Sequence, residues 1–371
     1  MPEFIQTDNF ADLFRNQTPL IDVRAPIEFE KGSIPGATNL PLLNNQQREQ
    51  IGKIYRKLGK SNAIELGHTL ISGSVKESRL LAWKNFLQNN VNPILYCYRG
   101  GLRSEIVQSW LHDAGIDIPI INGGYKALRH FLIDTLEKIP KTTNLIVIGG
   151  KTGTAKTQLI NSLTNAIDLE GLANHRGSSF GGRINPQPSQ ATFENQIASQ
   201  YIFNNLSGQK RFFLEDESRA IGSLSLPLNL FEFMRSSPIA VIESTFEDRI
   251  ETILRDYIIS NYNEYESDNP KNAGLIFNRY LLDSLERIRK RLGNQHYKDI
   301  KRKMDQASSD KLTDLSKNIH RDWIHILLQK YYDPMYEYQL ERKESRVVFR
   351  GSHNEFNEWT HELTKSHIRF Q

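Results

Sequence analysis

Asn144-Leu145-Ile146-Val147-Ile148 is an apolar, partly β-branched run that passes straight into Gly149-Gly150-Lys151-Thr152-Gly153-Thr154-Ala155-Lys156-Thr157. Leu159, Ile160, Leu163 and Ile167 then fall on one helical face. A buried strand, a glycine loop and an amphipathic helix in that order constrain the fold strongly. The strand needs partners on both sides, and the helix must return over the sheet, which gives an α/β domain with a largely parallel sheet. The loop meets the template G-x-x-x-x-G-K-[ST] through Gly150, Lys156 and Thr157, with Ala155 where the second glycine belongs. Backbone N–H groups of such a loop, Gly153 among them, cradle a di- or triphosphate. Lys156 reaches its outer oxygens, and Thr157 holds a magnesium ion if one is used. An alanine methyl at 155 crowds that backbone path or shifts the loop.

A second segment repeats this logic with different chemistry. Pro93-Ile94-Leu95-Tyr96 reads as a short buried strand, and Cys97-Tyr98-Arg99-Gly100-Gly101-Leu102-Arg103-Ser104 follows it. Ile106, Val107, Trp110 and Leu111 then recur at helical spacing before Gly115. Cys97 therefore sits at a helix N-terminus, where unpaired N–H groups and the dipole favour an anion, and Arg99 and Arg103 add positive charge. These surroundings favour a thiolate, making Cys97 a nucleophile candidate with Arg99 and Arg103 as its catalytic companions. A small buried core cysteine is the alternative, and two arginines and two glycines are poor neighbours for one.

Cys97 is the only cysteine among 371 residues, which excludes an internal disulfide and any multi-thiolate metal site. The lone thiol suits a reducing compartment, so the cytoplasm is expected. There is no apolar stretch of membrane-spanning length, and Met1-Pro2-Glu3-Phe4 has no signal-peptide character. Net charge is +4, which permits a polyanionic partner without requiring one.

Domain boundaries follow from the pattern. Residues 1–136 form a first α/β domain, containing the Leu20-Ile21-Asp22-Val23-Arg24 strand and a polar helical insertion from Asn44 to Asn90. Residues 137–143, polar with a proline, read as a linker. Residues 144–245 hold the phosphate loop and further strands at Phe212-Phe213-Leu214 and Ile239-Ala240-Val241-Ile242, and residues 246–371 turn helical and basic. The glycines and serines of Asp168-Leu169-Glu170-Gly171-Leu172-Ala173-Asn174-His175-Arg176-Gly177-Ser178-Ser179-Phe180-Gly181-Gly182 make either a second anion-binding nest, with Arg176 as a phosphate contact, or a surface loop. Asp216, in Glu215-Asp216-Glu217-Ser218-Arg219 after a strand, is the expected acid of the phosphate site. Arg287, Arg289, Lys290, Arg291, Lys298, Lys301 and Arg302 form a basic stretch with His296 and Tyr297. It reads either as a nucleic-acid track or as an ordinary solvated helix. No dedicated metal site is expected, and no separate nucleotide-base specificity residues are evident.

Taken together, the chain resembles the bacterial tRNA 2-selenouridine synthase family over nearly its whole length. Ile21-Asp22-Val23-Arg24, Gly32-Ser33-Ile34-Pro35-Gly36-Ala37, the Cys97 to Ser104 loop and Gly123-Gly124-Tyr125-Lys126 resemble a rhodanese. The phosphate loop, the motif from Asp168 to Gly181 and Glu215-Asp216-Glu217-Ser218-Arg219 resemble that family's P-loop domain. Ala155 is a departure, since the family is expected to carry glycine there. The resemblance implies a rhodanese-like α/β domain followed by a P-loop NTPase-like α/β domain with a helical C-terminal region.

It further implies replacement of sulfur by selenium in wobble 2-thiouridine, in the anticodon region of tRNA, with selenophosphate as donor. Geranyl diphosphate first alkylates the sulfur, and selenium then displaces the S-geranyl group. In that scheme no cofactor is tightly bound, Lys156, Thr157 and Arg176 steady the leaving diphosphate, Cys97 handles selenium, and the basic stretch holds tRNA. Two rivals stay open, an ATP-dependent tRNA sulfurtransferase and a non-catalytic selenium or sulfur carrier.

Overall fold

The computed structural model describes residues 4–205, 211–307 and 311–365. The chain divides into two compact units, one of Met1–Ile139 with Ser189–Gly208, the other of Pro140–Pro188 with Gln209–Gln371.

In the first unit, β1 (Phe4–Ile5), β2 (Leu20–Asp22), β3 (Ala37–Asn39), β4 (Ile94–Tyr96) and β5 (Ile120–Ile121) form a parallel sheet in the order β1-β5-β4-β2-β3. Around it lie α1 (Phe10–Arg15), α2 (Pro26–Glu30), α3 (Asn45–Leu70), α4 (Gly73–Asn89), α5 (Leu102–Asp113) and α6 (Gly124–Thr142). The insertion is helical as expected. Asn44 and Gln47 cap α3 reciprocally, and the helix breaks at Gly59, where φ is 83°. Ile21, Leu95, Val107, Leu111 and Ile120 close the core with Trp83, whose indole N–H donates to the Leu40 carbonyl at 3.0 Å.

The 137–143 stretch is not an irregular linker. Residues 137–142 complete α6, because the apolar stripe of Leu128, Leu132 and Leu136 continues to Ile139, so packing outweighs the proline at 140, and the boundary between the two units falls within this stretch, between Ile139 and Pro140. A second correction concerns Gln190–Asn204, a helix that belongs to the first unit although it follows the phosphate loop in sequence. Arg129 pairs there with Glu194, and Asn195 Nδ2 donates to the Ser33 carbonyl at 2.7 Å.

The second unit carries β6 (Asn144–Gly149), β7 (Ala166–Ile167), β8 (Arg211–Glu215), β11 (Ile239–Ile242) and β12 (Val347–Gly351), all parallel, in the order β12-β11-β6-β8-β7. The pair β9 (Ala220–Ile221) and β10 (Leu224–Ser225) makes a separate antiparallel ribbon. Helices α7 (Lys156–Ser162), α8 (Leu169–Leu172), α10 (Leu228–Ser236) and α11 (Phe246–Ile253) follow in chain order, with Gln190–Asn204 as α9. Beyond them come α12 (Ser260–Asp268), α13 (Ala273–Leu292), α14 (Asn294–Ala307), α15 (Asp314–Leu327), α16 (Asp333–Glu341) and α17 (His353–Lys365). The 246–371 region is thus not wholly helical. Its Val347-Val348-Phe349 run is β-branched and aromatic and supplies the sheet's edge strand. Ile146, Ile148, Phe213, Ala240 and Phe356 pack the sheet core, while Ile258, Phe277, Leu281, Trp323 and Leu328 belong to a separate helical core. Among the described residues no helix is long and apolar enough to cross a membrane.

Candidate functional site

Two strand–loop–helix junctions hold the candidate chemistry, one in each unit. Cys97 leaves the end of β4 and is buried, its thiol 3.8 Å from the Gly101 carbonyl just before α5 begins. The loop is fixed from behind by the start of α6. Tyr125 N–H donates to the Cys97 carbonyl at 2.8 Å and Lys126 N–H to the Tyr98 carbonyl at 3.0 Å. Backbone meets backbone so closely that side chains are excluded. A Cβ on Gly100 would lie 2.4 Å from the Ile121 carbonyl oxygen, and one on Gly124 would lie 2.3 Å from that of Cys97. Both glycines also have positive φ, 64° and 57°. This explains chemically why a cysteine loop and the distant Asn122-Gly123-Gly124 turn occur together.

The two arginines differ. Arg99 is exposed at the loop's edge. Arg103 is committed to Glu28 at 2.7 Å and 3.2 Å, which corrects the expectation that its charge is available to the sulfur. Burial pushes the Glu28 carboxyl up, but Arg103, the Ala25 N–H and Arg48 outweigh burial and hold it below its usual range. Asp22 and Arg24 make a fully buried ion pair at 2.6 Å, and the Arg24 guanidinium stacks 3.8 Å from the Tyr125 ring centroid. The sequence signature Asp22-Val23-Arg24 therefore ties the sheet to α6 rather than touching Cys97.

In the second unit, β6 delivers the loop 150–155 and α7 begins at Lys156. Gly150 (φ 147°) and Gly153 (φ 86°) lie where a Cβ would come within 2.6 Å of the Ile242 and Arg249 carbonyl oxygens, respectively. Ala155 adopts φ 55° and ψ 35°, a left-handed conformation that costs a residue with a Cβ on the order of 1 kcal/mol. The template's glycine is thus a conformational requirement, met here under strain. Lys156 Nζ turns back on the loop and donates to the Gly150 carbonyl at 3.0 Å.

Asp216, the expected acid, lies beside the loop, but a second acid is the one that meets Thr157. Thr157 Oγ1 donates to Glu215 at 3.2 Å, and Glu215 is buried at the end of β8. Asp216 instead accepts from Lys343 at 2.5 Å. Glu170, Glu215 and Glu217 crowd around Lys156. Burial first and mutual repulsion second push Glu170 and Glu215 up to about 8 and Glu217 to about 7, while Lys156 opposes the rise. Burial alone would lower Lys156, but Tyr336 and the three carboxyls reverse that and raise it.

Arg176 does not point freely at the loop. It bonds to Asn261, lies 3.5 Å from Ser260 Oγ and stacks 5.3 Å from the Tyr257 ring. The basic stretch is likewise divided. Arg287 donates to the Ser179 carbonyl at 2.6 Å, so it supports the loop around Arg176. Arg289 stacks on Tyr297 and pairs with Glu286, Lys301 pairs with Asp305, and Arg302 with Asp299. Lys290, Arg291 and Lys298 are exposed. Three of the seven expected residues are therefore ion-paired on the exposed surface of α13 and α14, three are exposed, and Arg287 is turned to the loop.

Sequence reasoning missed Arg249, Tyr336 and Lys343. Arg249 is buried, donates to the Thr152 carbonyl at 2.8 Å and pairs with Asp333. It follows the Ile239–Ile242 strand by a few residues, the one local signal that could have marked it. Tyr336 lies 180 positions from Lys156 in sequence yet beneath its ammonium, 6.0 Å from the ring centroid. No group of three or more His, Cys, Asp or Glu that could hold a metal occurs among the described residues.

Comparisons with known proteins also find two parts, with residues 189–208 falling inside the second match although they pack in the first unit. Residues 143–367 match the family model described as tRNA 2-selenouridine synthase AAA domain, and residues 6–130 match the rhodanese-like domain. The tRNA 2-selenouridine synthase of Marinobacter nauticus (strain ATCC 700491 / DSM 11845 / VT8) is 45% identical over 361 residues, covering 97% of this chain and 98% of that protein. That of Pseudomonas fluorescens (strain Pf0-1) is 45% identical over 363 residues, covering 98% and 99%, and that of Pseudomonas aeruginosa (strain LESB58) is 47% identical over 351 residues, covering 94% and 95%.

Proposed function

The chain belongs to the tRNA 2-selenouridine synthase family, and from that premise we propose that it replaces sulfur in wobble 2-thiouridine by way of a geranylated intermediate. In the first step the 2-thiouridine sulfur attacks C1 of geranyl diphosphate. A C–S bond forms, the C–O bond breaks, its electron pair leaves with diphosphate, and the base loses its N3 proton. In the second step selenium from selenophosphate attacks C2 of the base. The geranyl thiolate departs with the C–S electron pair, and water then cleaves the Se–P bond to leave 2-selenouridine and phosphate.

The observation that carries the first step is Lys156 folded over the glycine loop and held charged by its acidic neighbours. Converging loop N–H groups and this ammonium stabilise charge as it develops on the leaving diphosphate. Partial protonation of Glu170, Glu215 and Glu217 near neutral pH reduces their repulsion of that anion. Thr157 and Glu215 are the hard oxygen donors that would hold a magnesium ion, which would supply positive charge for the leaving diphosphate. Cys97 serves the selenium step in its glycine-bounded loop, and the protein works in the cytoplasm, where tRNA is found.

Nucleoside mass spectrometry of tRNA incubated with geranyl diphosphate and then selenophosphate tests the scheme. Cys97→Ala should abolish selenation and leave geranylation intact, whereas Lys156→Ala should slow geranylation at least 100-fold, about the effect of losing one charge-stabilising donor. Selenation at the normal rate by Cys97→Ala would remove that residue from the mechanism. ATP turnover stimulated by tRNA, with no dependence on geranyl diphosphate, would favour the sulfurtransferase instead.

A further inference from the structure

A cleft of about 360 Å³ opens at the carboxyl edge of the second sheet, where ligands of parallel α/β sheets bind. Its size falls within the roughly 300–1,000 Å³ of small-molecule sites. Gly150, Lys151 and Thr154 form one wall, so it shares its boundary with the phosphate loop. Val241 and Ile242 of β11 and Phe246 of α11 form the floor, and Tyr336 and Leu340 of α16 face it from the other side. Three ion pairs strap the two sides together, Lys151 to Glu337 at 2.6 Å, Lys343 to Asp216 at 2.5 Å and Arg249 to Asp333 at 3.0 Å.

We propose that this cleft receives the target nucleoside of tRNA, turned out of the anticodon loop and presented to the reacting end of the diphosphate substrate. The aromatic side chains Phe246 and Tyr336 line the cleft and offer surfaces for a base, and Ser244, with Asp216 and Glu243 held by Lys343 and Arg350, supplies polar groups for the hydrogen-bonding edge of a pyrimidine. Lys151, paired with Glu337, and Arg350, paired with Glu243 and Glu344, have side chains 34% and 37% exposed and line the cleft, so the flanking phosphates of a bound strand would take them over from those carboxylates.

A hydrocarbon chain fits this cleft less well, because charged groups recur around its wall. The seam lined by Phe180, Ile258, Leu281, Trp323 and Leu328 is by contrast almost wholly apolar. That seam touches the phosphate loop at Thr152, and its free space is only about 20 Å³. A free nucleotide shares the chemistry of the proposed occupant and is separated from it by the test.

The inference rests on the diphosphate reading of the loop only for the direction in which the nucleoside faces. Binding is compared for two anticodon stem-loops, one with 2-thiouridine at the wobble position and one abasic there. The full protein should prefer the first by about tenfold, the size expected for a stacked base. Leu340→Trp, which fills the cleft, should abolish that preference while inorganic diphosphate binds as before, showing that the loop remains folded. Phe246→Ala should reduce the preference about fivefold.

A preference retained in Leu340→Trp would overturn the proposal. So would a variant that keeps the base preference but no longer binds geranyl diphosphate more tightly than inorganic diphosphate, since the cleft would then hold the isoprenoid. Loss of ATP binding with the base preference intact would assign the cleft to a free nucleotide and overturn it as well. Failure of Lys156→Ala to weaken diphosphate binding would instead sink the diphosphate reading and leave the base preference standing.

Discussion

Glu28 beside the cysteine loop and Glu217 beside the phosphate loop are both drawn into their sites, yet their protons respond in opposite ways. Glu28 meets Arg103 and Arg48 and is held low, whereas Glu217 meets burial and other carboxyls and is pushed up to about 7. The first unit neutralises charge with charge in its loop support. The second concentrates carboxyls around one lysine, an arrangement in which burial and mutual repulsion favour retained protons. Such a site is built for a ligand or cation that rebalances it. Backbone strain follows the same division. Every left-handed position named in the cysteine loop and its supporting turn is glycine, whereas the phosphate loop places Ala155 in that conformation.

The sharpest way to break this comparison is Gly124→Ala. Its methyl would meet the Cys97 carbonyl oxygen at 2.3 Å, so a cost of about 3 kcal/mol and loss of selenation are expected. Gly115→Ala, at φ 80° with nothing within 4 Å, should cost about 1 kcal/mol. Equal urea midpoints for the two variants would show that close packing of the loops is not the determinant.

Next in size is the response to pH, measured by hydrogen exchange in each unit. Glu28 has a lowered folded value, so its contribution is present above about 4.5 and is lost as pH falls. Glu170, Glu215 and Glu217 have raised values, so their contribution is full below about 4.5 and is lost as pH rises through about 7 to 8. In magnesium-free buffer the second unit should therefore lose protection as pH rises from about 4.5 to about 8, while the Glu28 contact stays constant. Diphosphate affinity should fall over the same interval. A flat profile would mean that the carboxyls are separated or neutralised in solution.

The smallest effect is expected from Ala155→Gly. Relief of the left-handed strain should stabilise the second unit by about 1 kcal/mol, less the added entropy of the unfolded chain. Thermal melting in the presence and absence of diphosphate would check it, and a destabilised variant would refute the strain argument.

Much of the framework was legible because it depends on local pattern. Both strand–loop–helix units, the helical insertion and the strands at 212–214 and 239–242 announce themselves through apolar period and glycine position. The errors have a common cause. Residues 137–143 look like a linker by composition, but the stripe ending at Ile139 keeps 137–142 helical. Asp216 and Glu215 are adjacent acids, and only the direction of β8 decides that Glu215 turns towards Thr157 while Asp216 turns to Lys343. Arg103 and Arg287 read as free charges until their partners, Glu28 and the Ser179 carbonyl, are brought beside them.

The sequence by itself determined that this protein has two parallel α/β units, where each loop lies, and that a thiol and the lysine of the glycine loop stand at their helix N-termini. These follow from interactions within a few residues, which spacing records. Only the tertiary structure decided which charges are free, which acid serves Thr157, and that α16 faces the phosphate loop across a cleft. Those depend on contacts between residues far apart in sequence, 58 positions for Thr157 with Glu215, 75 for Arg103 with Glu28 and 127 for Asp216 with Lys343, for which no local pattern leaves a trace.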